Sequence, residues 1–313
     1  MLPAAQLARM LRGGRANMSD KPDIAIIGPG VVGTTLGILA ARAGYRVAGV
    51  AGRTEEKARA AAARIGPDVA VGTPAEVAGA GKLVLLTVPD DAIEPLCRQL
   101  AEAGAFARGA VVAHCCGAIP GEVLAPAREH CAAAVGSMHP LQTFPNVEAA
   151  LAKLPDAFCF CDGDDAAVAA LTALAEAIGA RPVRMSSAGK LLYHASAVMA
   201  CNYLTALLDA SLATAEHAEV PRDQAREALA PLIRATLENI FSLGTSKALT
   251  GPIARGDDAL VARQYRDVAA ADPALGEIYR ALGHWTVGVA LKKGTIGEPE
   301  AARLRAIFSR PED

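Results

Sequence analysis

Through the first 185 residues, short and nearly unbroken apolar runs alternate with longer segments of helical period; beyond that point only the helical period remains. The runs are Ile24 to Ile27, Tyr45 to Val50, Val69 to Val71, Leu83 to Val88, Ala110 to Ala113, Ala132 to Val135, Ala157 to Cys161 and Arg181 to Met185. Apolar runs of that length without polar alternation are strands covered on both faces, and strands alternating with helices specify a doubly wound parallel sheet. Helices are predicted over Val31 to Ala43, Glu55 to Ile65 and Ala166 to Ala180. After Met185, Ser186-Ser187 stand where they would cap a long apolar helix from about Lys190 to Glu216, and Pro221 opens another. Breaks follow near Thr250-Gly251-Pro252 and Ala271-Asp272-Pro273. The pattern predicts an α/β domain over 18–185 and an all-helical domain over 186–313, packed together rather than tethered. Residues 1–17 carry three arginines and no signal-peptide core, and read as a disordered extension ahead of a natural start at Met18.

The first run leads straight into Gly28-Pro29-Gly30-Val31-Val32-Gly33, a G-x-G-x-x-G turn between a strand and a helix. That order is the dinucleotide fingerprint of a Rossmann-type sheet. Gly28 supplies the tight turn, Gly30 lets the backbone approach a pyrophosphate, Gly33 lets the helix pack on the strand, and the phosphates sit on the helix N-terminus. Roughly 20 residues on, where an acid holds the ribose of NAD, the chain reads Ala51-Gly52-Arg53-Thr54. A guanidinium beside a hydroxyl suits the 2′-phosphate of NADP. The alternative is that Arg53 merely begins the solvated face of the next helix. Val88-Pro89 ends the fourth strand and turns the chain over the crevice where ligands bind in open sheets; Asp90 or Asp91 is read as the N-cap of the following helix.

Charge narrows the partners. With 31 basic against 33 acidic residues among 313, neither nucleic acid nor a membrane surface is expected, and no apolar run approaches a membrane span. Aromatics make up 4% of the chain, so the cores must be built from small aliphatic side chains. Seven cysteines without paired spacing read as reduced thiols in a cytoplasmic protein, with Cys159 and Cys161 as small core residues.

Two strand ends carry candidate chemistry. His114-Cys115-Cys116-Gly117 follows the fifth strand, and Ser137-Met138-His139-Pro140 follows the sixth. His114 and Gly117 are candidate cofactor contacts, Cys116 and Ser137 candidate substrate contacts, and both histidines fall on the ligand side of the sheet. A rival reading makes His114, His139 and His194 zinc ligands; without paired or acid-rich spacing, no metal is expected.

Together with Ile27 to Gly33, the turn His114 to Ala118 and the segments Ser137 to Phe144, Lys190 to Ala195 and Leu249 to Asp257 resemble bacterial Rossmann-like proteins with the domain of unknown function 2520. The turn after the fifth strand often reads His-x-Ser-Gly in that family, and Cys116 stands where the serine would be. More distantly the chain is similar to ketopantoate reductase, β-hydroxyacid dehydrogenase and pyrroline-5-carboxylate reductase. The resemblance implies an NADP-dependent oxidoreductase acting on a small keto or imino compound, and a homodimer formed through the helical domain. An NADP(H)-binding sensor without turnover is the alternative from another class. Lys190 and His194, four residues apart on one helix face, resemble the Lys-x-x-x-Asn arrangement of the hydroxyacid dehydrogenases. They are the candidate catalytic residues, with His139, while Asn202 is a candidate substrate contact.

Overall fold

The computed structural model describes residues 21–309, so the expected extension over 1–17 lies outside the described residues. The chain divides into two compact units between Ala197 and Val198.

The first unit alternates strand and helix: β1 (Ile24–Ile27), α1 (Val31–Arg42), β2 (Val47–Ala51), α2 (Glu55–Ile65), β3 (Ala70–Val71), α3 (Pro74–Ala80), β4 (Leu83–Leu86), α4 (Asp90–Glu102) and β5 (Val111–His114). A 3₁₀ turn (Gly121–Leu124) leads into α5 (Ala125–Cys131), then β6 (Ala134–Pro140), α6 (Val147–Lys153), β7 (Phe158–Gly163), α7 (Asp165–Ala177) and β8 (Arg181–Arg184). The eight strands form one sheet in the order β3-β2-β1-β4-β5-β6-β7-β8. The order reverses between β1 and β4, which opens a crevice at the carboxyl ends of those strands. Ile24, Ile26, Leu83 and Leu85 face one core layer with α1 and α2, while Ala25, Ile27, Val84 and Leu86 face the other with α3 to α5. Burial on both faces is why these strands read as unbroken apolar runs.

Three local expectations change. β6 does not end at Val135; it continues to Pro140, because β7 pairs with it antiparallel from Gly136↔Gly163 to Pro140↔Cys159. Its start is also later, since Ala132 takes a left-handed conformation (φ 54°) that closes α5. The sheet is therefore mostly parallel, with β7 and β8 reversed. At α4, Pro89 rather than Asp90 or Asp91 occupies the N-cap, and both carboxylates fall in the first turn, where they complement the helix dipole.

After β8 a 3₁₀ turn (Ser187–Gly189) leads into α8 (Lys190–His217), whose first two turns belong to the sheet unit. Ser186 and Ser187 do not cap α8; the Ser187 hydroxyl instead donates to Asp162 Oδ2 at 2.9 Å. The second unit holds the rest of α8, α9 (Arg222–Leu243), α10 (Thr245–Ala248), a 3₁₀ turn (Ile253–Arg255), α11 (Asp258–Ala271), α12 (Pro273–Lys293) and α13 (Glu298–Phe308). Asp272 caps α12 and Pro273 takes its first position. Val261, Val287, Ala290, Leu304 and Phe308 form a small core, while Met199, Tyr203, Leu232, Phe241 and Trp285 remain exposed. Contrary to the expectation from unbroken runs, Ser187–His217 is long and apolar enough to cross a membrane by length and composition. Its few charges are spread among many alanines and leucines, so the average is apolar although no single run is long.

Candidate functional site

At the β1–α1 turn the three glycines do different work. Gly28 has φ +116°, and a Cβ there would stand 2.4 Å from Thr87 O; a Cβ on Gly33 would stand 2.3 Å from Gly28 O. The Thr87 hydroxyl donates to Gly28 O at 2.7 Å and ties the turn to the end of β4. Gly30, by contrast, has nothing within 4 Å of its Cβ position. No side chain caps α1, so the first N–H groups of the helix face this open space without an intrahelical acceptor. Arg53 and Thr54 are exposed just past β2, and Thr54 makes no capping bond to α2. Glycines that pack, one that leaves room, free backbone donors and an exposed guanidinium fit a dinucleotide with a 2′-phosphate.

The other half of the site is built from side chains. Register places Ser137 opposite Asp162 and His139 opposite Phe160, so all four project from one face of β6 and β7. Across that face runs the start of α8. Lys190, with no exposed surface, donates to Asp162 Oδ1 at 2.5 Å and to Ser137 Oγ; Ser137 also donates to Asp162. Gly121 N donates to Asp162 Oδ2 at 2.9 Å, so the carboxylate accepts from four residues in all, with Ser187 the fourth. One turn on, the Tyr193 hydroxyl lies 2.9 Å from His139 Nδ1, and its ring packs on Phe160 with centroids 4.4 Å apart. His194 meets His139 edge-on at 5.9 Å. Gly117 leaves room for both rings: a Cβ would come within 2.6 Å of His194 and 2.7 Å of His139, and the rings would have to shift.

Burial and charge fix the protonation states. Burial would raise the Asp162 pKa, but hydrogen bonds from Lys190, Ser137 and Gly121 outweigh it and hold the carboxyl below its ordinary range. His139 is pushed down to about 4 by burial, then by His194 and the Lys190 charge. His114 is likewise pushed down to about 4, by burial and then by Lys190. Tyr193 is pushed up to about 12 by burial and keeps its proton at neutral pH.

Several expected contacts turn out to be internal. The Lys190 ammonium has no exposed surface and bonds to Asp162 and Ser137, and Ser137 is buried with it. His114 is buried, and Cys116 N donates to its Nδ1 at 3.1 Å. That nitrogen is therefore the acceptor, so Nε2 carries the proton and donates to Pro120 O at 3.2 Å. With both nitrogens used, His114 locks its own turn and offers nothing to a cofactor or a metal. Cys116 is buried too, its sulfur accepting from Ala118 N at 3.3 Å, and its thiol is pushed up by burial and by Asp90. Among the described residues, no group of three or more His, Cys, Asp or Glu is placed to hold a metal ion. All seven cysteines are free. The structure brings together Gly117, His139 and His194, sets Val88 and Pro89 at the end of β4, and leaves Asn202 exposed on α8 in the second unit. Sequence reasoning missed Asp162 and Tyr193. The signals available were the one acid closing the run Cys159-Phe160-Cys161-Asp162, and a tyrosine three residues after Lys190.

Residues 157–286 match the family described as Domain of unknown function (DUF2520), and residues 15–140 match the Rossmann-like domain. No curated protein matches the chain. Among solved structures, the chain is similar to a candidate NADP oxidoreductase from Bacteroides fragilis, at 25% identity and TM-score 0.66, over 85% of this chain and 97% of that one. It shares its fold with a reductive aminase from Aspergillus terreus solved with NADPH and ethyl-5-oxohexanoate, at 18% identity and TM-score 0.64, over 92% and 100% of the two chains. An imine reductase from Pseudomonas sp. has the same fold at 16% identity and TM-score 0.54, over 92% of each chain.

Proposed function

We propose that this protein is an NADP-dependent reductase or dehydrogenase acting on a small carbonyl or imine compound, a keto or imino acid in the first instance. The observation that carries the reading is the pairing of an open glycine turn with a Tyr193–His139 contact on the same strand-rich unit. Gly28, Pro29, Gly30, Val31, Val32 and Gly33 would hold the pyrophosphate, with Arg53 and Thr54 on the 2′-phosphate and Val88 and Pro89 beside the crevice. Bound NADPH supplies the hydride. The protein's part is the proton: Tyr193, protonated at neutral pH, gives it to the forming alkoxide or amine, and His139 passes a replacement to the tyrosine from solvent. His194 and Gly117 shape the space beside them.

A homodimer through the helical unit belongs to the same proposal. The 28-residue α8 leaves Met199 and Tyr203 exposed, and a groove of about 860 Å³ in the second unit is lined largely by small and apolar side chains, including Ala210, Ala228, Leu229 and Leu282. A second copy would cover both, and light scattering on the purified protein would read twice the chain mass. Seven free thiols suit a cytoplasmic setting.

The function is tested by following NADPH consumption with a panel of keto acids, ketones and cyclic imines, with ammonia or amines added. Turnover on at least one class is expected. Tight NADPH binding with no turnover on any of them would instead favour a sensor of the cofactor.

A further inference from the structure

The Lys190–Asp162–Ser137 cluster is not needed for the proton step, and burying it is expensive. Taking an ammonium and a carboxylate out of water carries a large desolvation penalty, and well-packed apolar residues of similar size often serve stability as well or better. A buried pair is better explained by what it specifies than by what it stabilises.

We propose that Lys190 is a positioning residue whose buried bonds key the first turn of α8 to β6 and β7, so that Tyr193 meets His139. The spacing supports it. Ser137 and His139 are two residues apart on a strand, about 6.6 Å, and Lys190 and Tyr193 are three apart on a helix, about 4.5 Å; each pair shares a face, and the long Lys190 side chain can take up the difference. Lys190 sits on the Ser137–Asp162 step, and Tyr193 on the His139–Phe160 step. Leu191 and Leu192 lie between them and point away, 68% and 80% exposed. Asp162 holds the key from the other side, tied to Gly121 N and to Ser187, the first residue of the 3₁₀ turn that leads into α8. Apolar contacts alone would let the helix slide or roll; a carboxylate that accepts from four residues fixes both its height and its rotation.

That the keyed contact serves the proton step rests on the reductase reading; the keying itself is read without turnover. Full-length protein labelled at His and Tyr is examined by NMR for cross-peaks between the His139 and Tyr193 rings, with Tyr193→Leu identifying the signals. In Lys190→Met/Asp162→Asn, which removes both charges and leaves neither orphaned, the cross-peaks are expected to vanish while NADPH affinity stays within about twofold. A role confined to stability would lower the melting temperature and leave the cross-peaks intact in the folded protein, and that result overturns the proposal. If the double variant does not fold, Ser137→Ala removes one bond from each partner. Weakened cross-peaks there support the keying, and unchanged ones overturn it. Failure of the reductase reading would appear in the substrate panel instead, with the ring contact unaffected.

Discussion

The two halves of the site, side by side on one sheet, are built on opposite principles. At the ends of β1 and β2 the construction is backbone: glycines, free N–H groups and an open approach at Gly30. At β5 to β7 it is side chain, and the buried polar groups there are already paired with one another. The first half is arranged to receive what the protein does not contain. The second is arranged to hold its own parts still. Damage to the second should therefore show as lost stability, and so should filling a packed glycine of the first, while damage to the open approach at Gly30 should show as lost binding.

The largest expected effect is acid sensitivity, which belongs to the side-chain half. His114 and His139 fall from an ordinary 6.5 to about 4 in the folded protein. Between those values the unfolded chain binds protons that the folded chain refuses, so stability drops as pH falls from about 6.5 to 4, by roughly 3 kcal/mol for each imidazole. Urea unfolding at pH 7 and pH 4.5 measures it. Asp162 is depressed instead, so its contribution is lost only below the ordinary carboxylate range and does not confuse that window. Next in size, Lys190→Ala leaves Asp162 buried without its cation and is expected to cost about 3–5 kcal/mol by the same measurement. Gly33→Ala pushes a methyl against Gly28 O and Thr87 and is expected to cost about 1–3 kcal/mol.

The smaller effects come from the open half, and they sharpen the contrast. Gly30→Val has room for its side chain and should cost less than about 1 kcal/mol of stability, yet NADPH binding should weaken about tenfold or more in a fluorescence titration. Arg53→Ala is expected to stay within about 0.5 kcal/mol of the parent and only to narrow the preference for NADPH over NADH. Equal affinity for the two cofactors in the unmutated protein would remove Arg53 from phosphate binding.

The same contrast explains what could be read from the sequence. The glycine turn is contiguous, so Ile24 to Gly33 carried strand, turn, helix and purpose in ten residues. The side-chain half joins Gly121, Ser137, Asp162 and Lys190, which only the topology brings together. The helical period correctly placed Lys190 and His194 on one face. It could not say that this face lies down on the sheet, because that depends on β7 reversing direction beside β6. For the same reason His139, read as a loop residue, sits inside a strand: the partner that extends β6 lies about 20 residues further on, with no local signal in β6 itself.

That reversal also sets the phase of the machinery. Because β7 and β8 run against β6, the chain leaves β8 near the level of Met138 and climbs back along β6 as α8, so the anchor comes before the tool. Between them lie only Leu191 and Leu192, whose identities the site does not read. Their number is what matters: each helical residue adds about 100° of rotation, so one residue gained or lost there would swing Tyr193 off the sheet with every side chain of the site still present.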